Sequence, residues 1–583
     1  MKMDKRSGYI KYYMKIDKKN TVLFLILKLL EAAFFSVETI VVAFLLDHII
    51  TNITNKEMIV RDIVILFTVW GIKRLIEYLA QRKWIVLRKK IYSELPVQMV
   101  RKKKSLSYIT MENRNTQELI KRIGNEPEKK FCEYFENQIY LAVSVIEIIG
   151  LLIVISAKNI IIGILLLIIL IPYIILSIKN GQISYEAYEE SEELFREAGY
   201  YKSVINNRKY LEERTLFQFG NYFNEKWSEK YKEAMKVENK ANWKVLSRTE
   251  FSNVLSTLFI AGMFFAILCT SLGKALSLGF IISIMKSLIN FVDEVSANLS
   301  KKMSTYEKGI LFLEDMKTFA HLDKDILHNM KKINAMKEIK TVEFRNVSFA
   351  YPGSEKKVFH NLSLQMSGDK KYAIVGENGA GKSTLVKLLM GIYTNYTGDI
   401  LINGVNIREF DQEELMSLFA YVPQDITKYE LPLDEYLKDA DVDRVNKMFA
   451  EYDIDFIKAS PNQPILGRLE KESIDLSGGQ WQLLAIVRAS LSQRSIFILD
   501  EPTAAIDPIK EAELYSKFQK IIENKFAILI THRLGAAKMV DEIVVISEGT
   551  IVERGSHSQL VAKEGIYSGM YHTQRKWYEN DEE

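Results

Sequence analysis

Gly376-Glu-Asn-Gly-Ala-Gly-Lys-Ser-Thr384 fits the pattern G-x-x-x-x-G-K-[ST], a spacing suited to holding phosphates. Gly376, Gly379 and Gly381 let backbone N–H groups turn toward phosphate oxygens without side-chain clashes, and Asn378 sits in the same turn. Lys382 is expected to reach the β- and γ-phosphates of a nucleoside triphosphate. Ser383 is expected to ligate Mg²⁺, and Thr384 completes the motif. A second pair lies downstream. Asp500 ends an apolar run and Glu501 follows it at once. A carboxylate there can hold Mg²⁺ through water, and its neighbour can polarise an attacking water, as phosphoryl transfer requires.

These groups need elements to aim them. Tyr372–Val375 reads as a short buried strand feeding the phosphate loop, and a helix is expected from Thr384 to Met390 with its positive dipole end at the phosphates. Val342–Phe349 alternates like a strand, and Ser495–Leu499 and Phe526–Ile530 read as buried strands. The stretch 339–583 is therefore expected to be an α/β ATPase domain with a mixed sheet.

The first half has a different texture. Six apolar stretches approach the roughly 20 residues a membrane-spanning helix needs: Val22–Leu46, Ile59–Ala80, Ile139–Ala157, Ile160–Ile178, Phe251–Ser271 and Leu276–Leu299. Lys73, Arg74 and Glu77 interrupt the second, which also reads as a buried soluble helix. Short loops alternate with long, charged, helix-patterned ones, Gln81–Gln138 and Lys179–Glu250. The Lys and Arg of these long loops and of the N-terminus place them in the cytoplasm by the positive-inside rule. The expected organisation is a cytoplasmic segment 1–20, a six-helix transmembrane domain 21–300, a charged helical linker 301–338 and the ATPase domain 339–583.

Further motifs make a resemblance specific. Leu476-Ser-Gly-Gly-Gln480 resembles the signature of ABC transporters, and Tyr351 stands where that family stacks an aromatic ring on adenine. Gln424 matches the glutamine that contacts Mg²⁺ and senses the γ-phosphate. Asp507, in Ala504-Ala-Ile-Asp507, matches the D-loop, and His532 matches the switch histidine. The motifs stand in the family's order, and the six-helix half matches its exporter type, so the resemblance covers nearly the whole chain. It implies a half-transporter with ATP and Mg²⁺ as cofactors. It also implies catalysis by Glu501 with His532, metal contacts from Ser383, Gln424 and Asp500, and two ATPase domains meeting head to tail. Each ATP would then lie between one chain's phosphate loop and Ser477, Gly478, Gly479 and Gln480 of the other. Because Glu501, His532 and the signature are intact, a homodimer is expected, with a heterodimer of two intact chains as the alternative. Coupling helices are implied near Met111–Ile120 and Asn206–Glu213, the second lying in the partner's ATPase domain.

The cargo is less marked. Gln424-Asp-Ile-Thr-Lys-Tyr-Glu-Leu-Pro-Leu433 and Leu466-Gly-Arg-Leu-Glu470 resemble bacterial exporters of lantibiotic and bacteriocin peptides. A modified or bacteriocin-like peptide is the first expectation. A multidrug or lipid exporter and an ATP-gated regulator are the alternatives, and importer function is disfavoured by the fusion of both halves. No protease domain precedes the first helix, so leader cleavage would fall to another protein. Glu38 and Glu147 sit mid-segment at membrane depth. They would draw cationic cargo into a cavity, or they are paired with Lys73, Arg74 or Lys286. Lys286 and Asp293 are further ionisable groups there. Phe34, Phe35, Phe265 and Phe291 fit packing or lipid contact better than a cavity lining.

Bulk properties add limits. The 583 residues carry a net charge of +4, too small to argue for nucleic acid. Cys132 and Cys269, the two cysteines, lack metal or redox spacing and read as reduced packing residues. Met1–Asn20 lacks a small-residue cleavage site, so a removable signal peptide is not expected.

Overall fold

The computed structural model describes residues 8–51, 56–158, 160–269, 278–322, 338–438, 440–457, 465–467, 473–492, 494–501, 519, 522 and 525–579. The chain divides into two compact units. One comprises Met1–Ser105 and Arg114–Leu322, the other Leu106–Asn113 and Asp323–Glu583.

The first unit is helical. Its long helices are α1 (Tyr9–Thr51), α2 (Lys56–Lys104), α5 (Pro127–Lys158), α6 (Ile160–Asn206), α8 (Phe219–Cys269) and α9 (Leu278–His321). Each takes in most or all of one of the six apolar stretches. All but α5 run 43 to 51 residues, roughly 65–75 Å against a bilayer core of about 30 Å. Two, Tyr9–Ile50 and Pro127–Ala157, hold a continuous window apolar enough to cross a membrane among the described residues. The interrupting charges keep α2 out of that pair. Shorter helices lie between: α3 (Tyr108–Glu112), α4 (Arg114–Ile123) and α7 (Leu211–Leu216).

The N-terminal segment is part of this core. Tyr9, Tyr12 and Tyr13, spaced for one helix face, are buried against Phe131 and Phe135, with Tyr13 stacked on Phe135 at 4.1 Å. The Tyr9 hydroxyl donates to the Gly309 carbonyl at 2.7 Å, and the Tyr13 hydroxyl meets the Sγ of buried Cys132 at 3.3 Å. Burial pushes the Cys132 thiol up to about 11, which suits an inert packing residue. The Cys269 side chain lies outside the described residues. Helix α1 is kinked at Asp17 (φ −152°, ψ 85°), whose carboxylate accepts from the Asn20 N–H at 3.0 Å and pairs with Lys90 at 2.5 Å. Helix α9 runs unbroken to His321, so the stretch from 301 expected as a linker begins inside a helix.

The second unit holds two sheets. A four-stranded antiparallel sheet has the order β2 (Lys357–Ser367), β1 (Thr341–Ala350), β4 (Thr397–Ile402), β5 (Val405–Asn406). The six-stranded sheet runs β10 (Thr550–Gly555), β9 (Glu542–Ser547), β3 (Lys371–Val375), β8 (Phe526–Ile530), β7 (Ile496–Asp500), β6 (Phe419–Val422). β3 pairs in parallel with β8 and β9, and β7 in parallel with β8 and β6, while β10 closes an antiparallel edge. Every residue of β7 and β8 is buried, as strands covered on both faces require. In such a sheet ligands bind outside the carboxyl ends of the parallel strands. Four of those ends are Val375, Val422, Asp500 and Ile530.

Candidate functional site

Four loops leave those strand ends, and each carries a residue singled out from the sequence. After β3 the chain turns through Gly376 and Gly381 at positive φ (154° and 99°). A Cβ at Gly376 would stand 2.2 Å from the Ile546 carbonyl oxygen, so only glycine fits the start of this turn. Gly379 also has positive φ, and Asn378 beside it is exposed. Helix α10 (Lys382–Leu389) then starts at Gly381 with no side-chain cap, leaving its first N–H groups for an anion.

Lys382 is buried, and its ammonium donates to the Gly376 carbonyl at 2.9 Å and the Glu377 carbonyl at 3.0 Å. Burial pulls its pKa down, while Glu501 and Asp500 oppose that shift. A phosphate would favour the charged form and exchange these carbonyl contacts for stronger, charge-assisted ones.

Asp500 is buried at the end of β7. Its Oδ1 accepts from the Ser383 hydroxyl at 3.2 Å and its Oδ2 from the Tyr421 hydroxyl at 3.3 Å. Burial raises its pKa, the Ser383 bond works against that, and neighbouring Glu501 adds to it. A dication beside Ser383 and Asp500 would restore the carboxylate charge. A hydroxyl and one carboxylate suit Mg²⁺, which keeps several waters and takes phosphate oxygens for the rest. Gln424 stands on the loop after β6 and reaches the neighbouring carboxylate of Glu501.

Glu501 is the pivot. Its N–H extends the sheet ladder to the Ile530 carbonyl at 2.9 Å, yet its φ is +48°. A side chain in that region costs about 1–2 kcal/mol, a strain that recurs at functional positions. Its Oε2 accepts from Gln424 Nε2 at 2.8 Å and its Oε1 lies 3.0 Å from His532 Nδ1. The carboxylate is thus held between the Gln424 loop and the loop after β8.

Tyr351 follows β1. Its hydroxyl shares a 2.6 Å hydrogen bond with that of Thr384, and its ring meets Phe349 and Tyr393 edge-on. Ser477 to Gln480 form a separate feature. Ser477 caps the helix Gly478–Leu491 in a capping box, its Oγ accepting from the Gln480 N–H at 3.3 Å while Gln480 Oε1 accepts from the Ser477 N–H at 2.8 Å. Each of the two side chains bonds the other residue's backbone here, and Ser477 and Gly478 present an exposed helix start. Asp507 lies outside the described residues.

The structure therefore gathers Lys382, Ser383, Thr384, Gln424, Asp500, Glu501 and His532. It adds Tyr421, which the sequence reading missed although it precedes Gln424 by three residues. The coupling expectation shifts as well. Leu106–Asn113 belongs with the second unit, overlapping Met111–Ile120 only at its start. Helix α4 belongs with the helical unit, where Thr116, Leu119 and Ile123 are buried and Arg122 forms a double hydrogen bond to Asp315 on α9. Within the 206–213 stretch and α7, the short helices Arg208–Tyr210 and Leu211–Leu216 bury no residue. Leu211, Leu216, Phe217, Phe219 and Tyr222 are exposed nearby.

In the helical unit, Glu38 accepts from Trp70 Nε1 at 3.1 Å and pairs with Lys73 at 2.7 Å. Of the two readings of this carboxylate, the geometry supplies the pairing. Glu147 lies half-buried on α5. The side chains of Phe265, Phe291 and Asp293 lie outside the described residues.

Comparison with known proteins agrees with this geometry. Residues 359–504 match the ABC transporter family model. The chain is 29% identical over 491 residues to the subtilin transport ATP-binding protein SpaT of Bacillus subtilis, covering 82% of this chain and 79% of that protein. It is 29% identical over 506 residues to the nisin transport ATP-binding protein NisT of Lactococcus lactis subsp. lactis, covering 84% and 82%. An ATP-dependent lipid A-core flippase of Salmonella typhimurium is 30% identical over 354 residues, covering 58% and 60%. The fold is that of a bacterial Atm1-family ABC exporter solved with ATP bound, with a TM-score of 0.79 at 21% identity over 96% of this chain and 99% of that one.

Proposed function

We propose that this chain, an ABC-type ATPase domain fused to a helical half, is one subunit of an ATP-driven exporter in the cytoplasmic membrane. The observation that carries the reading is the carboxylate of Glu501, held between Gln424 and His532 beside a phosphate loop with an uncapped helix start. Lys382 and the α10 N–H groups bind the phosphates. Ser383 and Asp500 hold Mg²⁺, with Gln424 beside them. Glu501 orients the attacking water and His532 supports the γ-phosphate side. Tyr351 offers a ring for adenine.

We assign six membrane spans to the apolar parts of the long helices, with the N-terminus and the ATPase domain in the cytoplasm. Two copies of the chain meet head to tail, so that Ser477–Gln480 of one cover the phosphate loop of the other. Asp507 takes the D-loop position at that junction. The exposed apolar stretch around Leu211–Tyr222 docks on the partner's ATPase domain. ATP closes the pair and turns the cavity outward, and hydrolysis reopens it. Glu38 serves structure through Lys73.

The cargo is an amphipathic peptide of the modified or bacteriocin-like kind. The subtilin and nisin transport proteins match over about four fifths of both chains, whereas the lipid A-core flippase matches over about three fifths. That flippase keeps a lipid cargo as the second reading. The test is ATPase activity of the purified protein in lipid nanodiscs. A cationic lanthionine peptide is expected to stimulate it where a hydrophobic cationic dye and a lipopolysaccharide core lipid do not. Stimulation by the dye or lipid alone would move the cargo to the multidrug or lipid class.

A further inference from the structure

The C-terminal helix Ile566–Glu579 reaches the loop that carries His532. Tyr567, Met570, Tyr571 and Gln574 recur at helical spacing, so they share one face. Tyr567 is buried in a cluster with Val375 of β3, Val545 of β9 and Leu534 of the loop after β8. Met570 and Tyr571 pack against the same cluster. The start of the helix is held as well. Glu553 on β10 accepts from the Ile566 N–H at 2.6 Å and the Tyr567 N–H at 3.0 Å. The Tyr567 hydroxyl meets His557 Nδ1 at 2.8 Å.

Two turns after Tyr567, this anchored face presents an amide. Gln574 Oε1 accepts from the Leu534 N–H at 3.0 Å, and its Nε2 donates to the His532 carbonyl. One side chain thus bonds the backbone on both sides of Arg533. An amide fits this place because it offers an acceptor and a donor side by side. Thr531 ties the loop from within. Its Oγ1 accepts from the Arg533 N–H at 2.9 Å, and its N–H donates to the Ile374 carbonyl of β3 at 3.4 Å. The His532 side chain is 47% exposed, so its aim at Glu501 depends on where its backbone is held.

We propose that Gln574 is a positioning residue that fixes the His532 peptide from the C-terminal helix, and so sets how well the site distinguishes a nucleoside triphosphate from a diphosphate. This rests on the ATPase reading above, in which His532 supports the γ-phosphate side. Lys382 and the α10 N–H groups serve phosphates that both nucleotides carry. Loosening His532 therefore weakens the hold on the third phosphate and spares the diphosphate.

The experiment is competition of a non-hydrolysable ATP analogue, and separately of ADP, against a fluorescent nucleotide on the full chain in lipid nanodiscs with Mg²⁺. The readout is the ratio of the two affinities. Gln574→Leu keeps the bulk and loses both hydrogen bonds. It is expected to lower the preference for the analogue by about 3- to 10-fold, the worth of one net hydrogen bond, with ADP affinity unchanged. Hydrogen exchange at the Leu534 amide is expected to quicken in the same variant. Gln574→Glu keeps an acceptor for Leu534 but has no donor for the His532 carbonyl. It is expected to lower the preference while leaving the Leu534 amide protected. In a His532→Ala chain, Gln574→Leu is expected to change the preference no further, since both act through one ring. An unchanged preference in both Gln574→Leu and Gln574→Glu would overturn the inference. So would an equal loss of ADP and analogue binding, or a second full loss on top of His532→Ala. The ATPase reading fails separately. Nucleotide binding as tight in Lys382→Ala as in the wild type would overturn that reading, and the inference with it.

Discussion

Glu501 concentrates the chemistry in one strained residue. Its backbone continues a buried strand while its φ of +48° swings the carboxylate between Gln424 and His532. Replacing it with Gln keeps the shape and the strain but removes the charge to which we assign the polarising of water. We expect Glu501→Gln to bind ATP normally and to lose about 10²–10⁴ in turnover, read as phosphate release against nucleotide binding. Lys382→Ala should act on the other quantity. The ammonium is preorganised on loop carbonyls, so its loss should weaken ATP binding itself, measured with a fluorescent nucleotide. If both variants lowered only turnover, the division of roles between loop and carboxylate would be wrong.

At the scale of elements, the parallel strands explain why distant residues meet. β3, β6, β7 and β8 end on one edge of the sheet, and their next residues form the site. This much is legible in the sequence, because short buried runs ending in Gly376, Asp500 and Thr531 mark strand ends directly. The tyrosine contacts are not legible. Tyr108 and Tyr393 lie far apart in the chain, and nothing in an isolated tyrosine marks the ring it will meet. The boundary between α3 and α4 is hidden for a related reason. Helical pattern places an element without saying which unit it joins, and α4 spends its apolar face on the helical unit. The kink in α1 was equally silent, since Asp17 sits within a charged stretch. Its carboxyl is held down at about 2, mainly by Lys90 and Asn20. A depressed carboxyl stabilises the fold above its unfolded value of about 4, and that contribution is lost as pH falls toward 2. Asp17→Asn should therefore flatten the fall in unfolding temperature between pH 4 and pH 2. An unchanged slope would show that the Asp17 pairing does not hold the kink.

For the whole molecule, Ser477 and Gln480 bond each other and leave an exposed helix start. The head-to-tail reading assigns that surface to a second copy. Mixing can test it. Chains carrying Lys382→Ala and chains carrying Gly479→Asp should each be inactive alone. Co-expressed, they should regain part of the wild-type ATPase rate, because mixed pairs keep one site made of two intact halves. No recovery despite proven mixed pairs would mean that each site is built within one chain.

The central claim is ATP-driven export, and uptake into inside-out membrane vesicles addresses it most directly. Vesicles bearing the wild-type chain should accumulate a labelled cationic lanthionine peptide against its gradient when ATP and Mg²⁺ are supplied. Vesicles bearing Glu501→Gln should not. Glu501-dependent ATP hydrolysis with no accumulation of peptide, dye or lipid would contradict the account, and would describe a gate or regulator instead.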